Sequence, residues 1–135
     1  MPETPPAFRA ALEKAAAAPM RAQVERWAAV NSGSRNLAGL AAMADLLADA
    51  FAALPGEIAL REATPVDAID PAGQHVTQEH GRNLHLTVRP HAPVQLLLTG
   101  HMDTVFGAEH PFQSLTLREG AILNGPGVAD MKGGL

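Results

Sequence analysis

Val94-Gln95-Leu96-Leu97-Leu98-Thr99-Gly100-His101-Met102-Asp103 is the stretch on which the architecture turns. The nearly continuous apolar run from Val94 to Thr99 reads as a central β-strand covered on both faces. Gly100 ends the run, and His101 and Asp103 follow two residues apart. Residues i and i+2 of extended backbone point the same way, so both side chains can face one pocket. Ligands of open α/β sheets bind beyond the C-terminal ends of the strands, which is where residues 100–103 fall.

A neutral imidazole nitrogen of His101 can bind a divalent metal. Asp103 can then accept the other ring N–H, which fixes the tautomer and raises the basicity of the ligand. A plainer reading has His101 satisfied by backbone and Asp103 capping the next turn. A second acid, Asp130, follows in Gly125-Pro126-Gly127-Val128-Ala129-Asp130. Asn124-Gly125-Pro126-Gly127 forces a tight turn, so Asp130 sits where the chain returns to the strand ends. One carboxylate can bridge two cations about 3.5–4 Å apart, as two-metal hydrolases require. An ordinary cap or turn aspartate in a glycine-rich loop fits the same spacing.

Outward from this centre, the 135 residues suit one domain or part of a larger one. Hydrophobic residues make up 47% and aromatics only 4%, so Leu, Ala and Val must supply most of the packing. A net charge of −4 without any Lys/Arg block argues against nucleic acid or an anionic membrane as partner. The absence of cysteine excludes disulfides, thiolate metal sites and cysteine nucleophiles. The opening MPETPPAFRAALEK lacks the basic and apolar regions of a secretory signal. No run approaches the roughly 18 apolar residues of a membrane span. A soluble, cytoplasmic protein is expected.

Thr4, Pro5 and Pro6 predict a helix start with Thr4 as N-cap, and the Ala-rich segment should stay helical through Ala18. Pro19 should break it before a second helix to about Val30. Asn31 to Ser34, NSGS, is turn chemistry. Asn36 then caps a third helix whose Leu40, Met43, Leu47, Phe51 and Leu54 recur at spacings of three and four, ended by Pro55-Gly56. Glu57 to Ala63 reads as a short strand and 64–81 as a polar loop. Leu84, Leu86 and Val88 alternate with polar residues, as in a half-buried strand. Leu115 to Leu117 and Ala121 to Leu123 suggest a hairpin. Helices first and strands after them predict an α/β chain, a partial three-layer α/β/α domain with a mixed sheet. A sheet this incomplete leaves an edge or a face uncovered, so the expectation is of a fragment.

The motifs GHMDTVF (Gly100 to Phe106), HPF (His110 to Phe112) and NGPGVADMKGGL (Asn124 to Leu135) resemble the zinc-dependent M20 peptidase family. The likeness is closest to its glutamate carboxypeptidase and acetylornithine deacetylase branches. Val30 to Leu40, VNSGSRNLAGL, resembles the first helix–turn–helix of that family. Residues 1–135 thus resemble the N-terminal half of a catalytic metallohydrolase domain of the zinc aminopeptidase/carboxypeptidase type.

That resemblance implies His101 as a terminal zinc ligand and Asp130 as the bridge between two zincs, with Co2+ a possible substitute. It gives Asp103 its catalytic part as the carboxylate that orients His101. It also implies a cis peptide after the bridging acid, here Asp130-Met131. The reaction implied is hydrolysis of an amide beside a small carboxylate-bearing amino acid, in a small peptide or an N-acyl amino acid. The family's adjacent Glu-Glu pair, a further acidic ligand and a final histidine lie downstream of the Asp130 motif, as does a lid and dimerisation domain. Glu57, Glu62 and Asp67 fall in the wrong places to replace them. The chain alone is therefore expected to be inactive, and homodimerisation is an expectation for the full-length protein. The alternative is a non-catalytic binding or interaction module built on the same fold.

Other residues carry weaker signals. His110 is a candidate for the substrate entrance, against a plainer role in loop packing. His75, His80, His85 and His91 match no metal pattern and read as solvated. Lys132 follows a glycine-rich turn but lacks the phosphate-loop spacing. Ser32 and Ser34 have no nucleophile elbow around them, so the NSGS turn reads as structural.

Overall fold

The computed structural model describes residues 4–119 and 122–135. Three helices come first: α1 (Pro6–Ala16), α2 (Met20–Ala28) and α3 (Leu37–Phe51). Pro6 opens α1, where a missing N–H costs nothing because the first helical amides have no partner anyway. Pro5 rather than Thr4 occupies the cap position, and no side chain caps it. Pro19 separates α1 from α2. Asn36 caps α3 as its sequence predicts, accepting the Gly39 N–H at 3.1 Å. The helix stops at Phe51, before Pro55-Gly56, and Leu54 stays exposed.

The apolar stripe of α3 decides where the core lies. Leu40, Met43, Ala44 and Leu47 are buried, and Met43 is 0% exposed. Trp27, Met43 and Leu47 form the centre, with Val30, Phe51, Leu84, Met102 and Leu135 packed around them. Met102 is the residue between His101 and Asp103. Its side chain enters the core while its two neighbours turn the other way, the alternation that extended backbone imposes. By contrast α1 buries no residue, and Phe8 and Leu12 lie exposed on it.

Strands β1 (Glu57–Arg61) and β4 (Asn83–Thr87) pair antiparallel, Ile58 opposite Leu86 and Leu60 opposite Leu84. Leu84 and Leu86 are half-buried between exposed Asn83, His85 and Thr87, so the predicted alternation is present. The polar loop expected over 64–81 instead contains a hairpin, β2 (Val66–Ile69) with β3 (His75–Gln78). Asp70 builds its turn: Oδ1 accepts from the amides of Ala72 (2.9 Å) and Gln74 (2.8 Å), and Gly73 takes φ +80°. Two four-residue strands with so few apolar side chains give little period-2 signal, which is why the sequence hides them. The predicted final hairpin is β5 (Thr116–Arg118) with β6 (Ile122–Asn124); Ala121 lies outside the described residues.

Helices and strands together make a mixed α/β chain. The strands, however, form three separate two-stranded antiparallel sheets rather than one mixed sheet. The central strand expected over Val94 to Thr99 is absent: the run is unpaired, and Leu97 is 88% exposed. Among the described residues no strand lies along either edge of it, so no ladder forms and no layer covers it. An isolated parallel bridge, Gly33 with Thr104, is the nearest approach to parallel pairing. Among the described residues no helix is long and apolar enough to cross a membrane.

Candidate metal centre

The segment after Gly100 is held by the NSGS turn between α2 and α3. The Ser32 hydroxyl, on a fully buried residue, donates to Met102 O at 2.7 Å. The Thr104 N–H donates to Ser32 O at 2.9 Å, and the Ser34 N–H donates to Thr104 O at 3.0 Å. Asn31 adds a brace from its side-chain amide to Phe106 O (3.1 Å) and Gln113 Oε1 (2.8 Å). Gly33 permits the close approach, since a Cβ there would stand 2.6 Å from Phe106 O. The reading of NSGS as a turn is correct but too modest, because the turn is the support on which His101 and Asp103 rest.

Asp130 arrives on a short wound turn, Val128–Lys132, entered through Gly127 at φ +74°. The turn is interrupted at Asp130 (φ −133°, ψ 95°) and Met131 (φ −132°, ψ 30°), whose backbone is not helical, and the Asp130-Met131 peptide is cis. The His101 N–H donates to Met131 Sδ at 3.3 Å, tying this turn to the end of the apolar run.

These two supports bring His101, Asp103 and Asp130 together. His101 Nε2 lies 2.9 Å from Asp130 Oδ1. On the other side of the ring, Nδ1 lies 3.1 Å from Asp103 Oδ1 and 3.1 Å from Asp103 O. Partial burial pulls the His101 pKa down, and it is the largest single influence. The Asp130 hydrogen bond, the Asp103 carbonyl and the charges of both carboxylates together outweigh it, so the pKa stands above 6.5. All three side chains remain substantially open to solvent.

An imidazole and a carboxylate converging on one point suit a divalent metal that accepts nitrogen and oxygen ligands. Ligands about 2.0–2.1 Å from a tetrahedral zinc stand about 3.3 Å apart, so the pair needs to open only slightly. Asp103 is placed behind the ring rather than beside Asp130. Among the described residues no group of three or more His, Cys, Asp or Glu side chains is arranged to hold an ion. The donors present therefore fit part of a zinc coordination sphere.

Lys132 is the residue whose part the sequence conceals most. It is 1% exposed, and its Nζ donates to Val30 O at 2.7 Å and Trp27 O at 3.1 Å. Those carbonyls belong to the C-terminal end of α2, where a cation complements the helix dipole. Burial without a carboxylate partner lowers its pKa to about 8. A cation tethered this way anchors the Asp130 turn to the helices, and at 1% exposure its ammonium is shut away from any phosphate in solvent.

His110 is tied to its own loop. Its Nδ1 accepts the Phe112 N–H at 3.0 Å, and its ring lies 4.9 Å from that of Phe106, which meets Phe112 edge-on at 5.0 Å. His75, His85 and His91 are exposed as predicted. His80 departs from that expectation: it is half-buried, and its Nε2 is enclosed without a hydrogen-bond partner. No family model, curated protein or solved structure matches the chain.

Proposed function

We propose that this chain carries part of the metal centre of a zinc-dependent amidohydrolase of the M20 kind, a metallocarboxypeptidase or N-acyl amino acid deacylase. The observation that carries the reading is the His101 ring set between two carboxylates, Asp130 at Nε2 and Asp103 at Nδ1. In this reading His101, through Nε2, and Asp130 would be the residues that hold the zinc. When bound there, zinc, or Co2+ in its place, would supply Lewis-acid chemistry toward an amide carbonyl and an acidified water. Asp103 would accept a hydrogen bond from Nδ1–H, keeping that proton on Nδ1 and so leaving the Nε2 lone pair free for the metal. The Ser32 and Lys132 anchors hold the two donor segments against the same core.

Two donors do not complete a zinc sphere of four. The remaining ligands and the general base are therefore assigned to polypeptide beyond these residues. The bare run at 94–99 supports the same view: as the central strand of a three-layer α/β/α domain it would take its neighbours from that polypeptide. The substrate proposed is a small peptide or an N-acyl amino acid with a carboxylate beside the scissile amide. That choice follows the likeness of Thr104 to Phe112, TVFGAEHPF, to the glutamate carboxypeptidase branch. Homodimerisation is proposed for the full-length protein alone.

Calorimetric titration of the 135-residue chain with Zn2+ and with Co2+ tests the site. Weak binding is expected, lost in both His101→Ala and Asp130→Asn, with no hydrolysis of N-acyl glutamate. Metal binding unchanged in both variants would overturn the assignment of ligands. Chelator-sensitive amidase activity of the purified chain would overturn its incompleteness.

A further inference from the structure

We infer that Ser34 is a positioning residue of this centre: its hydroxyl fixes the Asp103 carboxylate so that His101 is held as the Nδ1–H tautomer. The inference rests on the proposal that His101 serves a metal through Nε2. Ser34 Oγ lies 2.6 Å from Asp103 Oδ2, while Asp103 Oδ1 faces His101 Nδ1 at 3.1 Å. An ionised carboxylate has no proton to give, so the hydroxyl is the donor. Its alternative acceptor, Thr104 O, is more distant at 3.2 Å. At 2.6 Å to a charged oxygen, the contact is of the short, charge-assisted kind.

Occupation of Oδ2 has a directional consequence. A carboxylate held at one oxygen cannot rotate freely, so Oδ1 stays turned toward the ring. The hydroxyl is itself held in place, because the Ser34 backbone N–H is bonded to Thr104 O at 3.0 Å. A chain of three groups therefore runs from the entry turn of α3 through Asp103 to the metal-facing imidazole.

The two sides of the ring are in competition. Nε2 faces the Asp130 carboxylate, which by itself favours the Nε2–H tautomer and would occupy the lone pair a metal needs. Nδ1 faces the Asp103 carboxylate and carbonyl together. Without Ser34 the carboxylate loses its fixed direction, the carbonyl is left to hold Nδ1–H, and the balance passes to Asp130. Ser32, two residues earlier, donates to the Met102 carbonyl and touches neither carboxylate. It provides a control in which a clamp bond is lost with no bond to Asp103 removed.

The test reads the ring nitrogens of His101 by long-range 1H–15N correlation in the metal-free chain, at alkaline pH where the imidazole is neutral. The Nδ1–H tautomer should dominate in the wild type and in Ser34→Thr. In Ser34→Ala the Nε2–H fraction should rise several-fold, and Ser32→Ala should keep the wild-type ratio. A wild-type ratio in Ser34→Ala, or the same change in Ser32→Ala, would overturn the inference. Zinc titration forms the second arm, with affinity expected to fall about tenfold in Ser34→Ala and to recover in Ser34→Thr. If the wild type binds no zinc while the tautomer still follows Ser34, the metal reading fails and the positioning role stands.

Discussion

Residues 94–99 and residues 101–104 are separated only by Gly100, yet the structure treats them in opposite ways. Leu97 is 88% exposed and Thr104 is 5% exposed. The first segment is the more apolar and would be the first choice for burial on composition. The second contains a histidine and an aspartate, and still it is the one that is fixed. Hydrogen bonds from Ser32, Ser34 and Thr104, with Met102 packed into the core, account for the difference. Apolar character alone does not bury a strand. A strand needs partners for its backbone N–H and C=O groups, and an unpaired group kept from water costs free energy.

The fixed segment depends most on the floor beneath it. Met43 is fully buried and packs with Trp27 and Leu47, against which Met102 rests. Met43→Ala should cost about 4 kcal/mol, within the usual range for large-to-small core changes. Urea denaturation gives the value. The variant should also lose protection of the residue 101–104 amides from hydrogen exchange, while 94–99 exchanges as freely as before. Equal loss at both segments would show that they do not differ in support.

Lys132 holds the opposite end of the site. The ammonium of an unfolded lysine titrates near 10.5 and that of folded Lys132 near 8. Between these values the unfolded chain holds more protons, so stability rises as pH increases through the window. Below pH 8 both states are protonated, and the folded state bears the full cost of burying the charge. The neutral amine still donates to Val30 O and Trp27 O, so the anchor survives deprotonation. In Lys132→Met neither the proton nor the donors remain. The stability of the wild type relative to the variant should therefore rise by about 3 kcal/mol from below pH 8 to above 10.5. A gap constant across that range would mean that the lysine is not buried as a cation.

Much of the helical half was legible in the sequence because its signals are local. Asn36 as cap, Pro19 as break and the Leu40–Met43–Leu47 stripe each act within a turn or two of the chain. The pairing of His101 with Asp103 was legible for the same reason, since extended backbone places i and i+2 on one side. Ser34 and Lys132 were not. Ser34 meets Asp103 across 69 positions, and Lys132 reaches Val30 across 102. No spacing rule joins residues so far apart. The run at 94–99 misled for a further reason: its composition describes a strand with two neighbours, and among the described residues neither neighbour is present.

The bare run itself should tolerate substitution with almost no loss of stability. Leu97 stands in solvent without a ladder partner, so Leu97→Lys removes no packing. Stability should change by less than about 0.5 kcal/mol, as at other unpacked surface positions. A lysine in a covered central strand would instead place an unpaired charge in the core, at a cost of several kcal/mol. The substitution should also reduce self-association, because Val94 to Thr99 is an uncharged, proline-free run with both edges open, the kind that pairs with copies of itself. Sedimentation at rising concentration measures that part, and urea denaturation the other. A loss above about 2 kcal/mol would place residues 94–99 inside a sheet and erase the contrast with the clamped segment that follows.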